Sequence, residues 1–259
     1  MGYSPNTGGE EIGRSVELIE ACDPLLFREP PVQNKSILLL AVAATSLISM
    51  SASAAVIASW SMATAIPAAT TGTSYNYGVA DSGDLASGTM LSSGHAAAAT
   101  TYSPPSGNGS TYSFSANNWA IGDYYQVSVS TIGYSGVSIS WDQTRSSTGP
   151  ATFDAVMSVD GGTNWTTILT GYSVVQAGLT GTGTLSWTTT GAVQTAFTVT
   201  AVAGAAADGQ ANVLFRLRST VTTAAAGTNR IDNFIVSTVP APGAIALLGL
   251  AGLIGRRRR

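Results

Sequence analysis

Apolar and polar residues alternate along short segments between residues 56 and 237, and clusters of Gly, Asn, Pro or Ser separate these segments. A period of two is typical of β-strands with one buried face, and closely spaced turns are typical of two-sheet proteins. The segments are 56–62, 123–131, 136–144, 151–159, 164–169, 184–190, 195–202, 211–219 and 230–238. The pattern predicts an all-β fold, a jelly-roll-like antiparallel β-sandwich. No repeat of fixed period is present, which argues against a solenoid or a propeller.

The same alternation predicts the core, because every second residue of a strand points to the same face. The expected core residues are Tyr125, Val127, Val129, Val137, Ile139, Trp141, Phe153, Ala155, Met157, Phe197, Val199, Val213, Phe215 and Leu217. Ser, Thr, Gln and Arg occupy the other face. Residues 64–110 are less regular, and we expect long loops there with two short strands at most.

Charge is scarce in this region. Residues 55–238 contain no Lys and no Glu, and their four Arg are outnumbered by eight Asp. A weakly acidic domain lacks the basic surface that nucleic-acid binding requires. Cys22, the one cysteine, precedes the region, so disulfides and thiolate chemistry are not expected in residues 55–238.

The N-terminal part has the pattern of an export signal. Lys35 is followed by an apolar stretch and by the small residues of 52–54, which suit cleavage before Ala55. Residues 35–54 are therefore predicted to be a signal peptide with a helical apolar part, and 55–238 the β-sandwich domain. Residues 1–34 are either an extended leader or the result of a start assigned too early, with Val32 as the initiator.

Residues 239–259 end the chain with prolines, an apolar stretch and an arginine cluster. The 13 residues from 243 to 255 would span roughly 20 Å as a helix, against about 30 Å for a bilayer core. Arginines after an apolar segment are retained on the cytoplasmic side. We expect a short membrane helix with a stop-transfer cluster formed by Arg256, Arg257, Arg258 and Arg259.

This C-terminal segment resembles the PEP-CTERM sorting signal in its VPAPGA variant. The motif residues are Val239, Pro240, Ala241, Pro242 and Gly243, and Ala241 replaces the glutamate of the namesake motif. The resemblance implies processing by an exosortase-like membrane enzyme and delivery to the cell surface or extracellular matrix. The membrane is then a partner only before processing. Proteins with such signals are typically Ser/Thr-rich and come from bacteria that make exopolysaccharide.

A second local motif lies at 158–165. Ser158, Asp160, Gly162 and Trp165 fit the S-x-D-x-G-x-x-W pattern and resemble the Asp-box of sialidases, where the box is structural. The aspartate can bond turn amides, glycine tolerates positive φ and the tryptophan packs over the turn. We expect a stabilised hairpin here and no sialidase activity.

Candidate catalytic groups are sparse. His95, the one histidine, has no neighbouring motif and is expected at the surface. A glycosidase needs two carboxylates with separate roles. Asp142 and Asp154 lie on strands, but on the face opposite the core, where solvated or loop-capping carboxylates are expected. The sequence therefore predicts no catalytic residues and no enzyme.

The segment 230–238 resembles the closing strand of carbohydrate-binding and lectin-like jelly rolls, in some of which an Asp holds structural Ca²⁺. Asp232 is the matching residue. Calcium needs six to eight oxygen ligands, so the alternative is a hydrogen bond from the neighbouring turn to Asp232. No other cofactor is predicted.

Three functions are compatible with these observations. The first is an exported, exosortase-processed β-sandwich protein of the cell surface or matrix without catalytic activity. The alternative is a carbohydrate-binding module for extracellular polysaccharide, since sugars stack on exposed aromatic rings. Its candidate rings, all outside the predicted core, are Trp119, Tyr124, Tyr134 and Trp187. A glycosidase or esterase is the least favoured.

Overall fold

Residues 54–68, 70–178 and 185–239 are described by a computed structural model, and within them fourteen β-strands form two sheets. The eight-stranded sheet contains β1 (Val56–Trp60), β2 (Thr70–Thr71), β5 (Thr101–Ser103), β6 (Phe114–Ala116), β8 (Val137–Arg145), β11 (Val175–Gln176), β12 (Thr198–Val202) and β14 (Asn229–Thr238). The six-stranded sheet contains β3 (Ser74–Gly78), β4 (Met90–Gly94), β7 (Tyr124–Val129), β9 (Thr152–Ser158), β10 (Thr166–Ser173) and β13 (Val213–Ser219). The predicted all-β, jelly-roll-like sandwich is confirmed.

Strand pairing is antiparallel throughout, except between β11 and β8. The six-stranded sheet has the order β10-β9-β13-β7-β4-β3. In the other sheet the order β11-β8-β14-β6-β5-β2 is joined by β12 beside β8 and by β1 beside β14. The register of β14 shifts between Asp232 and Ile235, and Asn233 there has a φ of 47°, so a bulge bends the strand.

The core between the sheets contains the residues that the alternation predicts, together with buried side chains from the other strands and loops. All of the predicted core side chains are buried except Val199, which is half-buried. Three tryptophans are among the largest fully buried side chains: Trp60, Trp119 and Trp141.

Two stretches differ from the sequence prediction. Residues 64–110 contain four strands, β2 to β5, although their small polar residues carry little alternation. Residues 185–190 form a loop, where a strand was expected over 184–190. The loop is held because buried Trp187 donates a hydrogen bond from Nε1 to the carbonyl oxygen of Ser106 at 2.6 Å.

Both ends of the described body lie side by side. Thr238 N–H donates to the carbonyl oxygen of Ala55 at 3.0 Å, and Ala55 N–H donates to Thr238 Oγ1 at 3.0 Å. Val239 donates to the carbonyl oxygen of Gly136. The predicted extension 1–34, the signal helix up to residue 53 and the sorting signal from Pro240 through Arg259 lie outside the described residues. In the described ranges, no helix is long and apolar enough to cross a membrane.

Candidate functional site

The outward face of the six-stranded sheet brings polar side chains from five strands together. In β7 the odd-numbered residues enter the core, and Tyr124, Gln126 and Ser128 point outward. Because registered residues share a face, the pairing defines two rows across the sheet. The first row is Ser74, Gly94, Tyr124, Arg218 and Asp154. The second row is Asn76, Ser92, Gln126, Arg216 and Val156.

Tyr124 lies at the edge of a groove in the first row. A Cβ atom added to Gly94 would lie 2.5 Å from Cζ of Tyr124, so the ring occupies space that only glycine leaves free. The groove has a volume of about 290 Å³, near the lower end for ligand pockets. It is lined by Thr73, Ser74, Gly94, His95, Ala96, Gly122, Asp123 and Tyr124. The lining combines the Tyr124 and His95 rings with hydroxyl groups, the Asp123 carboxyl group and backbone.

Arg216 lies between two aromatic rings in the second row. Its Cζ is 3.7 Å from the ring centroid of Tyr124 and 4.2 Å from that of Trp165. Its Nε donates to Oε1 of Gln126 at 2.6 Å. The guanidinium is therefore fixed by two cation–π contacts and a hydrogen bond.

The tryptophan of this clamp comes from the hairpin between β9 and β10. Ser158 Oγ donates to Asp160 Oδ1 at 2.7 Å and accepts from the Gly162 N–H at 2.9 Å. Asp160 in turn accepts from the backbone of Asn164, and these hydrogen bonds lower the pKa of Asp160 to about 2. Trp165 Nε1 donates to the carbonyl oxygen of Gly162 at 2.9 Å. The hairpin thus fixes the ring that packs on Arg216.

Beneath the groove lies a buried histidine. His95 is 7% exposed, which contradicts the surface position expected from the sequence. Its Nδ1 is 3.2 Å from Asp123 Oδ2, although the alignment is too poor for a hydrogen bond. Its Nε2 is 3.0 Å from Ser93 Oγ. Burial lowers the pKa of His95 to about 4, against the opposing effect of the Asp123 carboxylate.

The order Ser93, His95, Asp123 resembles a catalytic triad in its distances but not in its accessibility. Ser93 is 2% exposed, and its hydroxyl donates to the carbonyl oxygen of Tyr124 at 3.0 Å. Because a hydroxyl has one proton, Ser93 accepts its hydrogen bond from His95 Nε2–H. Asp123 accepts backbone N–H bonds from Ala96 and Ala120 at 2.8 and 2.7 Å. The three side chains join the loops that form the groove wall.

The four aromatic candidates for sugar stacking differ in their exposure and position. Trp119 is 1% exposed and donates to the carbonyl oxygen of Ala116, and Trp187 is 8% exposed, so neither ring is available to a ligand. Tyr134 is half-buried, and its hydroxyl donates to Asp84 at 2.8 Å, away from the sheet face. Of the four, only Tyr124 borders the groove.

Asp142 and Asp232 form a separate buried cluster on the eight-stranded sheet, where they are register partners. Asp142 is 2% exposed and accepts a hydrogen bond from loop residue Asn108, so the solvated alternative is wrong and the loop-capping one is confirmed. Asn108 lies between the two acids, donating its backbone N–H to Asp232 Oδ2 at 2.7 Å and its Nδ2 to Asp142 Oδ2 at 2.9 Å. Loop residues over the strand account for the burial.

The Asp232 carboxylate is surrounded by hydrogen-bond donors. Its Oδ2 also accepts from Ser110 Oγ at 2.6 Å, and its Oδ1 accepts from the Asn233 N–H at 2.8 Å. A calcium ion needs oxygen ligands where these donors lie. No group of three or more His, Cys, Asp or Glu suited to a metal occurs in the described residues. The contacts favour the hydrogen-bonded alternative, and calcium binding at Asp232 stays a prediction.

Arg216, Gln126 and Gly94 were not singled out from the sequence. Alternation in 211–219 and 123–131 places Arg216 and Gln126 outside the core, but it cannot show that the strands are neighbours. Gly94 lies in a segment with no readable strand pattern. Asp154, the other acid considered, accepts a 2.8 Å hydrogen bond from the Gly171 N–H and lies 3.4 Å from Nη2 of Arg218.

No protein-family model matches the sequence, and neither does any curated protein. Among solved structures, the CBM22-1 xylan-binding domain from Paenibacillus barcinonensis Xyn10C is 14% identical, with a TM-score of 0.37 and coverage of 72% of this chain and 96% of that one. The K1 cleaved adhesin domain of Lys-gingipain from Porphyromonas gingivalis W83 is 15% identical, with a TM-score of 0.40 and coverage of 70% and 97%.

A third solved structure holds the CBM22-1 and GH10 modules of Clostridium thermocellum endo-1,4-beta-D-xylanase 10B, complexed with xylohexaose. It is 16% identical, with a TM-score of 0.38. The match covers 65% of this chain and 28% of that one, so this chain spans less than a third of it. With TM-scores below 0.5, these similarities assign neither a ligand nor an activity to this chain.

Proposed function

We propose that residues 55–238 form a carbohydrate-binding module without catalytic activity, and that its ligand lies on the outward face of the six-stranded sheet. The observation that carries the proposal is the groove at Tyr124, where Gly94 leaves room for the aromatic ring beside exposed hydroxyl and backbone groups. Sugars present both flat C–H faces and hydroxyl groups, so a binding surface needs rings and hydrogen-bonding side chains side by side.

The rows next to the groove supply those hydrogen-bonding groups. Asn76, Ser92 and Gln126 are register neighbours on three adjacent strands, and they extend the polar surface away from Tyr124. Side chains on a sheet are held by strand pairing, which lowers the entropy lost when a ligand binds. A chain of sugars could therefore run along this face with one unit in the groove.

The contacts of the acidic side chains support a binding role over hydrolysis. Asp123 is committed to backbone N–H groups, and Asp154 to Gly171 and Arg218. Hydrolysis of a glycoside requires one carboxyl group as acid and another as base or nucleophile, both facing the substrate. Asp123 lines the groove, but Asp154 and the buried Ser93 are not among the lining residues, so no second carboxyl group of the described residues faces the same space.

Delivery to the cell surface is part of the same proposal. It draws on the predicted signal peptide at 35–54 and the predicted sorting signal at 239–259, which would bring the module to an exosortase-like enzyme in the membrane. A polysaccharide-binding module at the bacterial surface would attach its own cell or matrix to extracellular polymer. The other function predicted from the sequence, a cell-surface or matrix β-sandwich protein without catalytic activity, does not require a bound polymer.

The test compares two tyrosines in the full chain. Affinity for galactan and for polygalacturonate is measured by calorimetry for the wild type, Tyr124→Ala and Tyr134→Ala. We expect Tyr124→Ala to weaken binding about tenfold, since a ring contact is lost. Tyr134→Ala removes a tyrosine ring that does not line the groove, so this variant should bind with wild-type affinity. Equal affinity of both variants, or no binding of either polymer by the wild type, would contradict the proposal.

A further inference from the structure

Arg216 carries a positive charge that no carboxylate of the described residues neutralises. Among the described residues, Arg218 pairs with Asp154, and Asp123 lies beside His95, whose low pKa favours its neutral form. The one acceptor of Arg216 is the neutral amide oxygen of Gln126. The two terminal nitrogens of Arg216 have no acceptor within the described ranges, so their N–H groups are available to a ligand.

The clamp makes this guanidinium different from an ordinary solvated arginine. Its plane is held between the rings of Tyr124 and Trp165, and its Nε is bonded at 2.6 Å. A free arginine side chain loses rotamer entropy when it binds an anion, whereas this one is already ordered. The geometry suits the two parallel N–H···O bonds that an arginine makes with a carboxylate.

The surroundings favour an anion at this position. Partial burial lowers the pKa of Arg216, against an opposing effect of Tyr124, and the neighbouring charge of Arg218 lowers it further. Burial leaves the cation incompletely solvated, and the charge of Arg218 repels it. A bound anion would offset both effects. Although the body from 55 to 238 is acidic, this face contains two of its four arginines, and the Asp154 carboxylate lies against Arg218.

We propose that this face selects polysaccharides that carry carboxylate groups, such as uronic acid polymers, and that Arg216 pairs with a sugar carboxylate. The inference rests on the proposed function, because it names the ligand class of the same surface. Tyr124 links the two, since one ring both borders the groove and contacts Arg216. When one sugar unit of a polymer lies in the groove, adjacent units of the same polymer would lie near the Arg216 guanidinium.

The experiment uses polygalacturonate and its carboxyl-reduced counterpart, which differ in charge but not in backbone linkage. We expect the full wild-type chain to bind polygalacturonate about tenfold more tightly, as for one charge-assisted hydrogen-bonded pair. This preference should fall with rising salt. Arg216→Gln should bind both polymers equally. Gln126→Glu, which gives Arg216 an internal carboxylate at nearly constant shape, should also lose the preference.

Arg230→Gln is the matched control, because it removes the same charge from β14 of the other sheet. It should keep the preference for polygalacturonate. Thermal denaturation of each variant identifies any loss of folding, and retained binding of the reduced polymer shows that the face is intact. Equal wild-type affinity for both polymers would overturn the inference while leaving the proposed function standing. Binding of neither polymer would overturn both.

Dextran sulfate separates carboxylate recognition from general attraction to anions. A sulfate ester carries charge but is a weaker hydrogen-bond acceptor than a carboxylate, so we expect weaker binding than to polygalacturonate at equal charge density. Binding as tight as that of polygalacturonate would overturn the assignment of carboxylates as the ligand class.

Discussion

Asp232 and His95 are both buried, and burial moves their pKa values in opposite directions. Burial raises the pKa of Asp232 to about 7, although three donors contact its carboxylate, and it lowers that of His95 to about 4. Removing a charged group from water disfavours the charged form, which is the anion for aspartate and the cation for histidine. Both residues therefore favour a neutral form at mildly acidic pH.

These shifts predict how stability depends on pH. Between pH 7 and about 4, folded Asp232 binds a proton that the unfolded chain does not, so its contribution to stability increases as the pH falls. Folded His95 fails to bind a proton that the unfolded chain binds between about pH 6.5 and 4, so its contribution decreases over that range. The two residues oppose each other, and a single variant is needed to separate them.

The variant Asp232→Asn removes one of the two contributions. The free energy of unfolding of the wild type should increase relative to Asp232→Asn as the pH falls from 7 to 4, by at most about 4 kcal/mol. Urea denaturation at several pH values measures this difference, with Asp84→Asn as an exposed control. A difference that stays constant with pH, or that grows toward alkaline pH, would contradict the prediction.

At the scale of elements, β4 and β7 decide the shape of the groove. Registered pairing places Gly94 beside Tyr124, and the absent side chain of Gly94 accommodates the tyrosine ring. The hairpin from β9 to β10 supplies Trp165 from the other side of Arg216. The site thus depends on four elements, β4, β7, β13 and the β9–β10 hairpin, which sheet pairing brings together.

Gly94→Ala tests this dependence. The added Cβ would lie 2.5 Å from Tyr124 Cζ, so the ring must move. We expect a loss of about 1 kcal/mol in the free energy of unfolding, at the lower end for overpacked sites, because the end of a half-exposed ring can move aside. Polysaccharide affinity should fall as well, because the moved ring would change the groove. Ser92→Ala on the same strand is the control for stability. If Gly94→Ala keeps the wild-type stability and affinity, the position of the Tyr124 ring does not depend on glycine.

At the scale of the whole molecule, the first and last strands close the body. β1 and β14 pair antiparallel, and hydrogen bonds join Ala55 to Thr238 at the two ends. The buried cluster of apolar side chains runs from Ile57 to Val236. A body of about 180 residues is large enough to be stabilised by its own core.

We therefore expect residues 54–239 to fold without the segments on either side. The melting temperature of this fragment should lie within a few degrees of that of the full chain, since the buried cluster from Ile57 to Val236 lies wholly within it. Circular dichroism during heating measures the transition. A fragment without a cooperative transition would show that the terminal segments contribute to the fold.

The sequence by itself determined the fold class, the part of the core that lies on the clearly alternating strands, and many of the turns. These follow from local alternation: Tyr125, Val127 and Val129 must share one face of a strand, whatever that strand pairs with. The S-x-D-x-G-x-x-W turn at 158–165 is also local, since its hydrogen bonds join residues at most four apart.

Only the tertiary structure decided the site. Strand order is not encoded in alternation, so the meeting of Tyr124, Arg216 and Trp165 depends on which strands pair. Burial of Trp119, Trp187, His95 and Asp142 depends on loops that fold over them from remote positions. Binding surfaces arise from such nonlocal contacts. For this reason the sequence indicated Tyr124 as a candidate but not Arg216, which packs on its ring.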